Sequence, residues 1–172
     1  MNKSSPLTSV NIWAGTLGHN LVLPYILPDR LTFATYGIFL EQVLPSLLQV
    51  VPLPIQRNMW FMHDGAPAHF SSTVRYFLNA TYPARWIGCG GPVAWHPRSP
   101  DLNPLDFFFW GHKKSLVYET PVDSAEDFVQ RIVVATDKIN TTPGIFERVR
   151  QSFLRRCELC NDTRGRHFEH LQ

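Results

Sequence analysis

Asn58-Met59-Trp60-Phe61-Met62-His63-Asp64-Gly65 is a short apolar run closed by a carboxylate and a glycine. A run of that length bounded by a turn signal reads as a buried strand, with Asp64 at its carboxyl end. Ser71-Ser72 then opens a helix with Val74, Phe77 and Leu78 on one face. Strands early, then strand–helix alternation, then helices along the chain argue an α/β fold.

Upstream, Ser9–Leu17 and Leu21–Leu27 are apolar runs parted by Gly18-His19-Asn20, which predicts a hairpin. Tyr36, Phe39, Leu40, Val43, Leu44, Leu47 and Leu48 recur at helical spacing. They predict one amphipathic helix that ends before Pro52 and is kinked at Pro45. Downstream, Trp86-Ile87 and Val93-Ala94-Trp95 are strand candidates around a Cys-Gly-Gly-Pro bend. His96–Pro104 is a proline-broken loop, and Asn103 is placed to cap a helix starting at Pro104. Asp123 is expected to cap another helix, with Phe128, Ile132, Val133 and Ala135 inward. Pro143 opens a last helix through Ile145, Phe146, Val149, Phe153 and Leu154.

The 172 residues, 44% hydrophobic and 17% charged, suit one globular domain spanning 1–172, with residues 1–8 polar and loose. Fourteen prolines imply short, sharply bounded elements. Three cysteines do not make a disulfide framework. With no secretory signal and no membrane-length apolar run, a soluble intracellular protein is expected. Net charge is +2, but residues 147–172 carry six arginines against four acids. That basic end suits either phosphate contacts or a solvated helix face.

Two acids stand out by position. Asp64 ends the apolar run, and Asp106 precedes Phe107, Phe108 and Phe109 in the first turn of an expected helix. A carboxylate in so apolar a setting must be solvated, paired or metal-bound, because bare burial is costly. Hard carboxylate oxygens suit Mg²⁺, and a pair of such ions supports phosphodiester chemistry. Position alone leaves two bland readings open: Asp64 as a turn former and Asp106 as an anion for the helix dipole.

His63-Asp64-Gly65-Ala66-Pro67-Ala68-His69 resembles the second-aspartate motif of mariner-like DDE/D transposases: Asp, a small or polar residue, a proline and a His. Ser99-Pro100-Asp101-Leu102-Asn103-Pro104-Leu105-Asp106 resembles their third-carboxylate motif, with Asp106 at the offset of the third acid. Asp101 falls in the loop part of that pattern. Ser9–Leu27 is similar to the family's strand pair, and His167–Leu171 to a frequent ending of insect-type copies. The resemblance is to the carboxyl-terminal part of the catalytic domain. It implies a ribonuclease H-like fold with carboxyl-terminal helices, Mg²⁺ or Mn²⁺, and DNA cleavage and joining without a covalent intermediate. Asp64 and Asp106 would be catalytic metal ligands, with His69 and Asn103 in support. For His69, a helix-entry histidine satisfied by backbone is the alternative. DNA, a second copy or a related transposase chain would be the partners, and the nucleus the location.

Two departures shape the expectation. The 41 residues 65–105 separate the two acids, more than in the best-known mariner branches, with the excess around Gly88–Pro92. The family's first aspartate, on the first strand, has no counterpart, since no acid precedes Asp29. The expectation is therefore an incomplete sheet and active site, and no strand transfer by these 172 residues alone. A partner or upstream segment supplying the acid would make an active nuclease or transposase. A protein-interaction module or a remnant without function is the remaining alternative.

Other groupings have bland and functional readings. Cys157 and Cys160 with His167 and His170 have the count for tetrahedral Zn²⁺. Trp86, Trp95 and Trp110 suit base stacking or core packing. His112, Lys113 and Lys114, and Arg155 and Arg156, suit phosphate contacts or a wet helix face.

Overall fold

The computed structural model describes residues 10–95, 102–111, 117, 119, 122 and 124–164. The expectations for residues 1–8, the 96–101 loop, His112, Lys113, Lys114, Asp123 and His167–Leu171 lie outside them. The chain forms two compact units, one from Val10–Trp13 and Tyr25–Ser99, the other from Ala14–Pro24 and the described residues after 101.

Strands β1 (Ile12–Leu17) and β2 (Asn20–Ile26) form the expected hairpin. Gly18 turns it with φ +61°, a left-handed conformation that a Cβ would strain. The open end is tied by Leu27 N donating to the Asn11 carbonyl at 2.9 Å. The Asn11 amide donates in turn to the carbonyls of Pro28 and Asp29.

In the first unit, the single helix expected over 36–48 is broken into pieces. Helix α1 (Phe33–Ile38) runs into a π-helical stretch (Phe39–Val43), then α2 (Leu44–Leu47) and a 3₁₀ turn (Leu48–Val50). Thr32 and Thr35 cap α1 reciprocally. Pro45 falls in the first turn of α2, where its missing N–H costs little. The apolar periodicity survives the breaks: Tyr36, Phe39, Leu40 and Leu44 are all buried.

Asn58 is not in a strand. It ends α3 (Leu53–Asn58), a helix led by Pro52 and Pro54. Strand β3 is only Phe61–Met62, and Trp60 before it is half exposed. Helix α4 (Ser72–Thr81) starts as expected, Ser71 Oγ accepting from Val74 N. Val74 and Leu78 are sealed. The helix packs against α1 at Gly37, where a Cβ would lie 3.9 Å from Thr73.

Strands β4 (Trp86–Gly88) and β5 (Val93–Ala94) complete a three-stranded sheet in the order β3-β4-β5. Phe61 pairs with Trp86 and Ile87 with Val93, both parallel. Parallel neighbours ordinarily need a crossover of a dozen residues or more. Here Cys89–Pro92 suffices, because the paired segments are so short. The Gly88 carbonyl accepts from both Gly91 N and Trp95 N, and Gly90 turns at φ +75°.

In the second unit, a π-helical stretch (Leu105–Trp110) follows Pro104. Helices α5 (Ala125–Thr141) and α6 (Ile145–Asp162) complete it. Its core is Ala14, Leu21, Phe109, Ile139 and Ile145, with Leu105, Phe108, Trp110 and Phe146 packed around them. A cavity of about 150 Å³ opens among Leu21, Phe108, Ile139, Phe146 and Phe153. The α5 cap is Ser124, its Oγ accepting from Asp127 N at 3.1 Å. Ile132, Ala135, Thr136 and Ile139 form the buried stripe, which leaves Val133 at 56% exposure, outward rather than inward. Leu154 is likewise outward at 55%, and α6 begins after Gly144 at φ +68° rather than at Pro143.

Candidate functional site

Asp64 leaves the end of β3 in the direction set by a single backbone bond, His63 N donating to the Ile87 carbonyl at 3.1 Å. The chain then turns at once. Asp64 Oδ1 accepts from Ala66 N at 3.0 Å, the side chain imitating a backbone turn. Pro67–His69 follows as one 3₁₀ turn, which brings His69 back over the carboxylate. His69 Nδ1 lies 2.7 Å from Asp64 Oδ1. An ionised carboxylate only accepts, so Nδ1 carries the proton. The motif's spacing is thus a local device, with aspartate and histidine five positions apart closing one small ring.

This device sits on stacked rings. The His69 ring lies 5.0 Å from that of His63, nearly parallel at 5°, and 4.2 Å from that of Tyr36. The Tyr36 hydroxyl is 3.4 Å from His63 Nδ1, and the Trp86 edge meets the His63 ring. Sheet geometry fixes His63 from the other side: a Cβ at Gly88 would lie 2.5 Å from His63 Nε2. A Cβ at Gly91 would lie 2.8 Å from the Trp86 ring. Two of the three glycines in Gly88-Cys89-Gly90-Gly91 thus exist so that the strand turn can press against these rings.

The electrostatics follow from burial. His63 is driven down to about 4, first by burial and then by neighbouring His69, with Asp64 opposing. It is therefore neutral at pH 7. Tyr36 is pushed above its ordinary range, chiefly by burial and then by the Asp64 charge. Asp64 is held below the ordinary carboxylate value by the His69 hydrogen bond, against burial, with help from Ala66 N. The result is a firmly anionic carboxylate, 46% exposed. Its second oxygen accepts no hydrogen bond among the described residues.

Asp106 is positioned differently. Asn103 is buried, and its Oδ1 accepts from Leu105 N at 3.1 Å, the capping expected from the sequence. Asn103 Nδ2 donates to Asp106 Oδ2 at 2.9 Å. The Asn103 carbonyl accepts from the backbone N–H groups of Asp106 and Phe107. Asp106 itself is exposed, at the start of the π-helical stretch. Such stretches are rare and concentrate at functional sites.

As oxygen donors, both acids suit a hard divalent cation, and Asp64 keeps an open oxygen for one. Among the described residues, no group of three His, Cys, Asp or Glu side chains is gathered for a metal. Each acid by itself therefore offers at most part of a ligand set. Cys157 and Cys160 lie on α6, and their expected histidine partners are outside the described residues.

The remaining expected contacts divide. Trp86 is fully buried and donates from Nε1 to Asn79 Oδ1, so it is core and not a base platform. Trp110 packs on the second unit's core. Arg156 lies over the Phe107 ring at 4.2 Å, while Arg155 is exposed. Sequence reasoning missed Tyr36 and His63. Both were read as parts of apolar runs, and only the fold shows their rings converging on His69.

No family model matches the sequence, and no curated protein does. Solved structures do match by shape. The Mos1 transposase catalytic domain with raltegravir and Mn aligns at TM-score 0.72 and 20% identity, covering 93% of this chain and 83% of that one. Its counterpart with Mg aligns at 0.73 and 22%, covering 93% and 77%. The Mos1 mariner paired-end complex with Mn aligns at 0.73 and 21%, covering 98% of this chain but 48% of that one. The chain thus spans about half the length of the transposase in that complex. Among the described residues no helix is long and apolar enough to cross a membrane. In its mixed α/β architecture, ribonuclease H-like as expected, this chain has a fold similar to that of the Mos1 mariner transposase catalytic domain.

Proposed function

We propose that this chain is a transposase-derived DNA-binding domain whose ancestral chemistry is metal-dependent DNA strand cleavage and transfer. The observation that carries the reading is the Asp64–His69 ring at 2.7 Å, on a fold similar to transposases solved with Mn, with Mg and with a transposon end. In this reading Asp64 and Asp106 hold the Mg²⁺ or Mn²⁺. The metal supplies Lewis-acid activation of the attacking oxygen and charge stabilisation at the phosphate.

The protein's own part is positional. His69 commits one oxygen of Asp64 and fixes the rotation of the carboxylate, leaving the other oxygen for coordination. Asn103 holds one oxygen of Asp106 through an amide hydrogen bond. Neutral His63 and protonated Tyr36 support the His69 ring without adding charge to the site.

In this reading the site lacks a third carboxylate; in the alternative, an active nuclease or transposase, a partner or an upstream segment supplies it. The outer edge of β3 is where it would enter. Phe61 N and His63 N both point to β4, which turns Met62 N–H to the other side. No strand pairs there among the described residues. A strand added at that edge, from a longer chain, a second copy or a related transposase, would run beside Asp64. Residues 1–172 then form one partial catalytic domain, working on DNA in the nucleus.

Manganese binding tests the reading directly. Electron paramagnetic resonance titration of the purified chain should show a bound Mn²⁺ population that Asp64→Ala and Asp106→Ala each weaken. Equal binding by all three proteins would remove the metal site. The activity alternative has its own observation, since Mn²⁺-dependent nicking of duplex DNA by the pure chain, lost in Asp64→Ala, would show a complete site.

A further inference from the structure

We infer that Phe70 and Arg75 form a stacking platform for an unpaired nucleotide of DNA on the loop that holds Asp64. This inference rests on the DNA reading above and adds to it where the strand lies. Phe70 follows His69 immediately and is 50% exposed, so part of its ring faces solvent. Arg75, in the first turns of α4, places its guanidinium over that ring, 5.1 Å from the centroid.

Two further facts make this more than a surface aromatic. Arg75 Nε is sealed from solvent and has no hydrogen-bond partner. Among the described residues the guanidinium has no ion pair or hydrogen bond at all. In sequence, residues 65–100 contain no Asp or Glu, and Asp64, whose Oδ1 is taken by His69, stands at the head of the loop. Arg85, by contrast, is committed to the carbonyls of Arg57 and Met59. An unmatched cation stacked on a half-exposed aromatic ring matches a nucleotide, with the base on the exposed part of the ring and the phosphate on the guanidinium.

The glycine loop completes the platform. A Cβ at Gly90 would lie 3.0 Å from Arg75 Cδ and 3.3 Å from Phe70 Cε2. Gly90 therefore lets the β4–β5 turn lie against the pair and hold it in place. The insertion around Gly88–Pro92 that lengthens the spacing between the two acids is, on this reading, a part of the DNA-binding surface.

The test uses the whole chain with EDTA present, so that metal binding at Asp64 plays no part. Fluorescence anisotropy should show a labelled (dT)₁₂ strand binding more tightly than a hairpin duplex. Phe70→Ala should weaken it by about 5- to 150-fold, the range for losing one base stack. Arg75→Ala should also lower the single-strand salt slope by about 0.7. A strand carrying 2-aminopurine should be quenched by the native protein and by Phe70→Trp, but not by Phe70→Leu, which keeps apolar bulk without a stacking face. Native affinity in a Phe70→Ala protein with native circular dichroism would overturn the platform. So would a preference for duplex that no variant changes. Either failure leaves the Mn²⁺ titration standing, and failure of the titration leaves the platform measurable.

Discussion

Asp64 and Asp106 carry the same functional group in opposite kinds of setting. Asp64 sits on a floor of packed rings, with Tyr36, His63, His69 and Trp86 in one contact network behind it. Asp106 stands on an exposed helical turn and is steadied by Asn103. The first is fixed by tertiary packing that involves four elements. The second is held by a hydrogen bond from Asn103, three positions away. Damage to the first should therefore spread into stability, and damage to the second should stay local.

The largest effect should come from the floor itself. Trp86→Ala removes a fully buried indole and strands Asn79, and should cost about 3–5 kcal/mol in urea denaturation. A loss under 1 kcal/mol would show that the rings are not a structural unit. Next, Gly88→Ala should cost about 1–3 kcal/mol, because the new methyl meets His63 at 2.5 Å. Gly65→Ala, with nothing within 4 Å, is the matched control.

His69→Ala tests the coupling of floor to site. Loss of an orienting hydrogen bond should weaken Mn²⁺ binding by about 10- to 100-fold. Asn103→Ala, on the other side of the comparison, should cost about 1 kcal/mol of stability as a lost cap. Its effect on thermal unfolding should be smaller than that of either floor variant. The smallest effect concerns pH. Tyr36 and Tyr82 are both pushed up by burial, so their neutral forms stabilise the fold. That contribution is fully present below pH about 10 and is lost as pH rises above it. Tyr82→Phe should flatten the alkaline limb of the stability curve, read by denaturant midpoints between pH 9 and 11.

The same contrast explains what the sequence made legible. The helix start at Ser71, the Asn103 cap and the Gly18 hairpin are all closed by residues a few positions apart, and each is readable. The rings behind Asp64 were not, because His63 meets Tyr36 across 27 positions and both look like members of apolar runs. Helix α3 was hidden by Pro52 and Pro54, which read as breakers but stand at a helix start, where proline is tolerated. Val133 faces outward, whereas Thr136, polar by type, holds the inward position by donating to the Ile132 carbonyl. Neither π-helical stretch has a signature, since one extra residue per turn hardly disturbs an apolar period read over a few turns.

That extra residue at Leu105–Trp110 has a consequence for how the gene tolerates change. An α-helix advances about 100° per residue. A single-codon deletion at Phe107 or Phe108 would let the stretch rewind as ordinary helix, while rotating the aspartate more than a quarter turn relative to the phenylalanines that anchor it. An exposed loop absorbs such a deletion silently. Here the helical circular dichroism should survive while the carboxylate is redirected.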